Sequence, residues 1–189
     1  VFCVGGGGKG AGSSMKERDA YWYTGMQLAR DVILAALDCE KPIIGRINGH
    51  AVGKGCSIAL CCDVTVMAEE AKIGDTHVKV GLAAGDGGSL LWPYIVGPVL
   101  ARRYLLTGDE FSADEAYRLG LVQQVVPAGE QRHAAIALAE TIAAQAPLGM
   151  YATLASARLA KTSLRLAAPA MSGFSPGPKA SPGRHITGS

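Results

Sequence analysis

The chain has 189 residues, 49% of them hydrophobic and 18% charged, a composition typical of one globular domain with a sizeable core. The net charge of +2 comes from scattered basic residues and gives no basis for binding nucleic acid or an acidic membrane surface. The five cysteines have no CxxC spacing, which argues against a zinc site, and their odd number predicts free thiols in a reducing cytosol. No apolar run reaches the roughly 18 residues of a membrane span, and the sequence shows no signal peptide. We therefore expect a cytoplasmic protein.

Strands and helices alternate along the chain, which predicts an α/β fold. Apolar residues at helical spacing mark the longer helices, and short apolar runs before glycine turns mark the strands. The predicted elements, in chain order, are strand 1–4, glycine-rich loop 5–14, helix 19–37, strand 42–47, helix 55–62, strands 64–68 and 72–74, helices 89–96, 98–106 and 112–119, strand 121–126, and helices 131–145 and 148–167.

Two local signals refine these bounds. Ser112, with Glu115 three residues later, has the spacing of a capping box and predicts a helix N-terminus, and Gly120 is placed to end the same helix. Residues 168–189 are rich in proline, glycine and serine without apolar periodicity, which predicts a disordered or loosely packed tail.

Four glycine-punctuated segments follow one another along the chain: FCVGGGGK at residues 2–9, KPIIGRINGHAVGKGCSIALCCDVTVMAEEAKIG at 41–74, VGLAAGDGG at 80–88 and LTGDEFSADEAYRLGLVQQVVP at 106–127. In this order they resemble the motifs of the crotonase superfamily, also called the enoyl-CoA hydratase/isomerase family. The resemblance implies a spiral core of ββα units over residues 1–128, lacking its first strands. It also implies C-terminal helices over residues 129–167 that assemble a homotrimer or a hexamer.

The resemblance further implies an acyl-CoA substrate whose thioester oxygen is held by two backbone N–H groups. By motif position these donors are Gly6 and Lys54. Lys54 stands where the family usually has glycine, so its N–H can serve provided that the turn does not require a positive φ there. Cys3, Val4 and Lys9 correspond to positions along the bound CoA, and His50 to a position lining the pocket.

Hydratases of this family use two glutamates, and their positions are occupied here by Ser57 and His77. An imidazole with an ordinary pKa near ~6.5 suits proton transfer at neutral pH. Asp86, nine residues further on, could orient that imidazole and stabilise its charged form. The competing interpretation is a His77 bonded to a loop carbonyl and an Asp86 that caps the next helix. Asp75 is a weaker candidate partner, better explained as a turn or cap residue.

The sequence therefore predicts an enoyl-CoA hydratase/isomerase-like enzyme that stabilises an enolate, with His77, Asp86 and Ser57 as candidate catalytic residues. It predicts no metal and no cofactor other than the coenzyme A carried by the substrate. Two alternatives stay open. One is a crotonase-type hydrolase of a β-diketone or CoA thioester, in which His77 activates water. The other is a non-catalytic homologue that only binds acyl-CoA.

Overall fold

The computed structural model describes residues 1–5 and 14–158, and within these ranges the chain forms two small sheets and seven α-helices. The strands are β1 Ile44–Ile47, β2 Ala51–Val52, β3 Val64–Ala68, β4 Lys72–Gly74, β5 Phe111–Ser112 and β6 Gln124–Val126. The helices are α1 Met15–Asp38, α2 Lys54–Cys61, α3 Gly88–Val96, α4 Pro98–Thr107, α5 Ala113–Arg118, α6 Gln131–Ala143 and α7 Pro147–Arg158, with a 3₁₀ turn at His77–Val80. Most of the predicted glycine loop, the end of the last predicted helix and the tail 168–189 lie outside the described residues.

The first four strands alternate between two sheets. One sheet has the order β1-β3-β6 with all pairs parallel, and the other has β2 parallel to β4 and β4 antiparallel to β5. The chain therefore passes from the first sheet to the second, continues into α2, and repeats the step with β3 and β4 before α3. This strand–strand–helix progression is the spiral that the resemblance implied, and it places the N-termini of α2 and α3 after successive strands of the second sheet.

The core between the sheets and helices is closed by an aromatic cluster. Trp92 and Phe111 are almost fully buried, with ring centroids 5.5 Å apart, and Tyr104 lies 4.1 Å from Phe111. Tilted pairs of this kind contribute about 0.5–1.5 kcal/mol each beyond the burial of their area. The cluster fixes α3 and α4 against β5, and with them the segment that enters α3.

A buried ion pair fixes the last described helix. Arg158, at the end of α7, donates to both carboxylate oxygens of Asp63 and to the carbonyl groups of Cys39 and Lys41, while Asp63 also accepts from the Ile43 N–H. Only 10% of the Arg158 side chain and 12% of the Asp63 side chain are exposed. The guanidinium thus ties α7 to the start of β1 and to the turn before β3.

Most predicted elements are confirmed, and the differences have local causes. Ser112 caps α5 by accepting from the Glu115 N–H at 3.3 Å, and Gly120 adopts a φ of 76° after the helix. The predicted strand 121–126 is wrong in its first half, because the N–H groups of Leu121 and Val122 bond back to α5 at the Ala116 carbonyl. Strands β2 and β5 were missed because two residues carry no periodicity. None of the helices in the described ranges is long and apolar enough to cross a membrane.

Candidate active site

The first part of the site is the N-terminus of α2. Gly53 precedes the helix with φ 56° and ψ −122°, and its N–H donates to the Gly74 carbonyl at 2.9 Å. Because Gly53 carries the positive φ of this turn, Lys54 begins the helix without one. The first N–H groups of a helix have no acceptor within the helix, so the Lys54 N–H is suited to bind an oxygen atom.

The N-terminal segment approaches this helix end closely. A Cβ on Gly55 would lie 2.0 Å from the Cys3 carbonyl oxygen, so the two backbones can touch only because residue 55 is glycine. Gly5, with φ 77°, follows beside the Lys54 nitrogen, which would lie 3.7 Å from a Cβ there. The predicted second donor Gly6 and the predicted CoA-binding residue Lys9 lie outside the described residues.

The remaining predicted binding residues lie near this segment rather than in the polar cluster described next. Cys3 is partly buried and its backbone bridges to Ala51, whereas Val4 is exposed. His50 is exposed, and its Nδ1 accepts a hydrogen bond from the Lys72 N–H at 3.0 Å. The imidazole of His50 therefore joins the β2 edge to the start of β4.

The second part of the site is an imidazole between two carboxylates. Nδ1 of His77 lies 2.6 Å from Oδ1 of Asp75, and Nε2 lies 3.3 Å from Oδ2 of Asp86. On the far side of Asp86, the Ser57 hydroxyl donates to Oδ1 at 2.8 Å. The structure thus brings the three predicted residues Ser57, His77 and Asp86 into one chain of contacts and adds Asp75.

The two competing explanations from the sequence are only partly met by these side chains. The N-cap of α3 is Gly87, without a side-chain cap, and the Asp86 carboxylate contacts Ser57 and His77 as well as the Gly88 backbone at the start of that helix. His77 is bonded to a carboxylate rather than to a loop carbonyl. The weaker interpretation of Asp75 was incomplete, since its Oδ1 accepts from the His77 backbone N–H at 3.2 Å, as a turn residue does, and also contacts the ring.

Burial and charge act in opposite directions on this cluster. Burial alone lowers the pKa of His77, but the hydrogen bond to Asp75 and the charge of Asp86 outweigh it and raise that pKa from 6.5 to about 10. Burial raises the pKa of Asp86, yet its contacts with His77 and Ser57 bring the net pKa below 3.8. At neutral pH the pair is therefore an imidazolium beside a carboxylate, a proton donor beside a proton acceptor.

The two parts of the site adjoin each other. A Cβ on Gly53 would lie 3.6 Å from both Cε1 and Nε2 of His77, so the ring rests against the residue that precedes Lys54. Asp86 Oδ2 is buried, and no donor among the described residues is aligned to hydrogen-bond it. A proton donor and an acceptor oxygen thus lie next to backbone N–H groups that can stabilise negative charge.

The same cluster also has the residue types of a metal site. Asp75, His77 and Asp86 each offer one ligand atom, and these atoms lie within 4.8 Å of one another. An ion shared by two ligands at about 2.0–2.2 Å each would hold them about 3 Å or more apart, whereas Nδ1 and the Asp75 oxygen are 2.6 Å apart. The 2.6 Å contact is therefore a hydrogen bond, and Nδ1 and that Asp75 oxygen cannot both ligate one ion. The geometry favours proton transfer.

Comparison with known proteins adds the following. A family model described as enoyl-CoA hydratase/isomerase matches residues 1–171. The (E)-benzylidenesuccinyl-CoA hydratase of Thauera aromatica is 44% identical over 129 residues, which are 68% of this chain and 50% of that protein. The crotonyl-CoA hydratase of Syntrophomonas wolfei is 47% identical over 87 residues, 46% of this chain and 34% of that protein. A crystal structure of an enoyl-CoA hydratase from Mycobacterium avium is similar with a TM-score of 0.65 and 40% identity, covering 70% of this chain and 60% of that one. The chain spans half or less of the length of these two curated relatives.

Proposed function

The chain belongs to the enoyl-CoA hydratase/isomerase family, and on that premise we propose that it converts an acyl-CoA thioester through an enolate intermediate. The thioester oxygen would accept the Lys54 N–H at the start of α2 and a second N–H from Gly6. As charge develops on that oxygen, each donor contributes roughly 3 kcal/mol of transition-state stabilisation. The observation that carries the proposal is the His77–Asp86 pair, whose imidazole rests against Gly53, beside the Lys54 nitrogen.

In the hydration direction the pair would replace the two glutamates of the family. Asp86 accepts a proton from water as the water oxygen bonds to the β-carbon, and the electron pair of the double bond moves onto the thioester as an enolate. His77 donates its imidazolium proton to the α-carbon, and the proton on Asp86 then returns to the neutral imidazole. The net change is addition of one water molecule, and no cofactor is consumed.

Ser57 would act on this step through Asp86. Its hydroxyl donates to Oδ1 of Asp86, while the other oxygen, Oδ2, lies beside Nε2 of His77. A serine hydroxyl is too weak an acid to move protons at neutral pH, so its contribution is to orient the carboxylate. Ser57 is fully buried, which favours a role in orienting Asp86 rather than direct contact with substrate.

The test is turnover of crotonyl-CoA by the full-length protein, followed by loss of the conjugated double bond in the ultraviolet. The wild-type protein should hydrate the substrate, and His77→Ala should reduce kcat by about 10²–10⁴-fold, the usual contribution of a general acid. Binding of a CoA ester without conversion of any acyl substrate would instead support the non-catalytic homologue.

A hydrolase is the second candidate, favoured by one observation. His77 contacts one carboxylate through Nδ1, the arrangement that orients the imidazole of a hydrolytic triad, and its Nε2 lies 3.3 Å from Asp86, where the two groups together could bind and deprotonate a water molecule for attack on a carbonyl carbon. Hydrolysis of a thioester releases free CoA thiol, whereas hydration retains the thioester. A thiol reagent added to the same assay therefore distinguishes the two reactions.

We also propose that the C-terminal helices assemble a trimer or a hexamer. Helices α6 and α7 leave large apolar side chains exposed in the single chain, among them Ile136, Leu148 and Tyr151. Exposed apolar groups on adjacent helices are typical of surfaces that pair with another chain. Sedimentation of the full-length protein would measure the assembly, and a monomer at micromolar concentration would contradict it.

A further inference from the structure

Asp75 holds His77 at two points. Its Oδ1 accepts from the backbone N–H of His77 at 3.2 Å and from ring atom Nδ1 at 2.6 Å. The carboxylate is 2% exposed, so water does not compete effectively for that oxygen. A ring held by one nitrogen and by its own backbone keeps its second nitrogen in one direction, and that direction is towards Asp86.

The position of the Asp75 carboxylate depends on Gly88, which has no side chain. A Cβ on Gly88 would lie 2.0 Å from Oδ2 of Asp75, closer than any non-bonded contact allows. Gly88 is the first residue of the nine-residue helix α3, where the helix dipole favours a negative charge. Oδ2 has no aligned donor among the described residues, so no second hydrogen bond competes with the contact to His77.

We propose that Asp75, seated against Gly88, is a positioning residue that orients the His77 ring and keeps it in the imidazolium form. The charged groups acting on His77 within the described chain are Asp75 and Asp86, so the cluster holds two carboxylates and one cation. The excess negative charge also affects the adjacent Cys56, because burial and the charges of both carboxylates raise the pKa of its thiol. Only the effect on turnover rests on the proposed function.

This arrangement assigns different tasks to the two carboxylates. Asp75 is bonded to the ring nitrogen that faces away from Asp86, and its other oxygen is enclosed by Gly88. Asp86 keeps one oxygen without an aligned donor. His77 is then the proton source in its resting form, and Asp86 rather than the imidazole accepts the first proton.

The experiment is titration of His77 by NMR in the full-length protein with labelled imidazole nitrogens, comparing wild type with Asp75→Asn. Asparagine preserves shape and an acceptor oxygen but removes the charge, so the pKa of His77 should fall by about 1–3 units. Asp31→Asn, an exposed carboxylate on α1, is the matched control and should leave the titration unchanged.

An unchanged His77 titration in Asp75→Asn, together with a lowered pKa in Asp86→Asn, would overturn the proposal. If Asp75→Asn does not fold, Gly88→Ala displaces the same carboxylate and is read in the same titration. The readout needs no substrate, so a protein that turns over no acyl-CoA but shows the shift retains the positioning role while losing the proposed function. Where turnover is present, the pH profile of kcat should shift by the same amount while KM stays within about threefold.

Discussion

Nδ1 of His77 lies 2.6 Å from Oδ1 of Asp75, two residues earlier in the chain, and the contact commits the other ring nitrogen to Asp86. Residues at i and i+2 of an extended strand are too far apart for such a contact, roughly 6–7 Å between Cα atoms. The contact forms because β4 ends at Gly74 and the chain bends into the 3₁₀ turn that begins at His77. The bend after β4 therefore brings the Asp75 carboxylate to the His77 ring, and this contact favours the charged form of the imidazole.

The stability of the protein should fall with increasing pH above neutrality. The native state keeps the His77 proton up to a pH of about 10, while the unfolded chain releases it near 6.5. The stabilisation is fully present below pH 6.5 and is lost as the pH rises through the folded pKa. Between these values the native state binds one more proton, so the free energy of unfolding should decrease by about 1.4 kcal/mol per pH unit.

Urea unfolding followed by tryptophan fluorescence from pH 7 to 8 measures this slope below the ordinary thiol pKa of about 8.5. His77→Gln should remove it, and a flat wild-type profile would contradict the prediction. At acid pH the free energy of unfolding should change in the opposite direction, increasing as the pH rises. The pKa of Asp86 is lowered from 3.8, so its stabilisation is present above that pH and is lost as the pH falls through the folded pKa.

The sequence predicted the long elements well and the site only in part. Helix α1 and strand β3 followed from apolar periodicity, which reports burial directly. The partnership of His77 and Asp86 was inferred from resemblance and alternatives remained, because the loop between them carries no periodicity. The contact of Asp75 with the ring depends on a bend of the backbone, and the fitness of Lys54 as a donor depends on Gly53 taking the positive φ. Neither property is encoded in composition or spacing.

Lys54→Pro should remove the proposed oxyanion donor with little effect on the helix. Lys54 is the first residue of α2, a position where proline is tolerated because its N–H has no partner within the helix. Turnover should drop by about 10²–10³-fold, the cost of losing one such donor. Lys54→Ala is the matched control, because it removes the side chain and keeps the N–H. Equal activity of the two variants would show that the N–H does not bind the thioester oxygen.

Ser57→Ala should destabilise the protein and raise the pKa of Asp86. The buried Oδ1 of that carboxylate loses the hydroxyl that donates to it at 2.8 Å. An unsatisfied buried acceptor costs about 1–3 kcal/mol. Ser89→Ala, an exposed serine at the start of α3, should change the free energy of unfolding by less than about 0.5 kcal/mol. Similar effects of the two variants in urea unfolding would argue against a buried hydrogen bond at Ser57.

Gly55→Ala should separate the N-terminal segment from α2. The added methyl group would lie 2.0 Å from the Cys3 carbonyl oxygen, and backbone cannot move aside as a flexible side chain can. We expect a loss of about 1–3 kcal/mol and faster amide exchange at Val52, whose N–H donates to that carbonyl at 2.9 Å. Gly149→Ala, with open space around its Cβ position in α7, should be neutral or slightly stabilising.

Arg158→Ala should be among the most destabilising single changes at a polar residue. The Asp63 side chain, 12% exposed in the native protein, would lose its guanidinium partner, and removing one member of a buried pair costs about 3–5 kcal/mol. Arg118→Ala removes an exposed partner of Glu115 at 3.8 Å and should cost less than about 1 kcal/mol. Arg158→Lys keeps the charge but cannot reach both carboxylate oxygens and two carbonyl groups with one planar fork, so it should recover only part of the loss. Urea unfolding of the three variants ranks them, and full recovery by lysine would mean that charge alone, rather than the fork of hydrogen bonds, fixes α7 to β1.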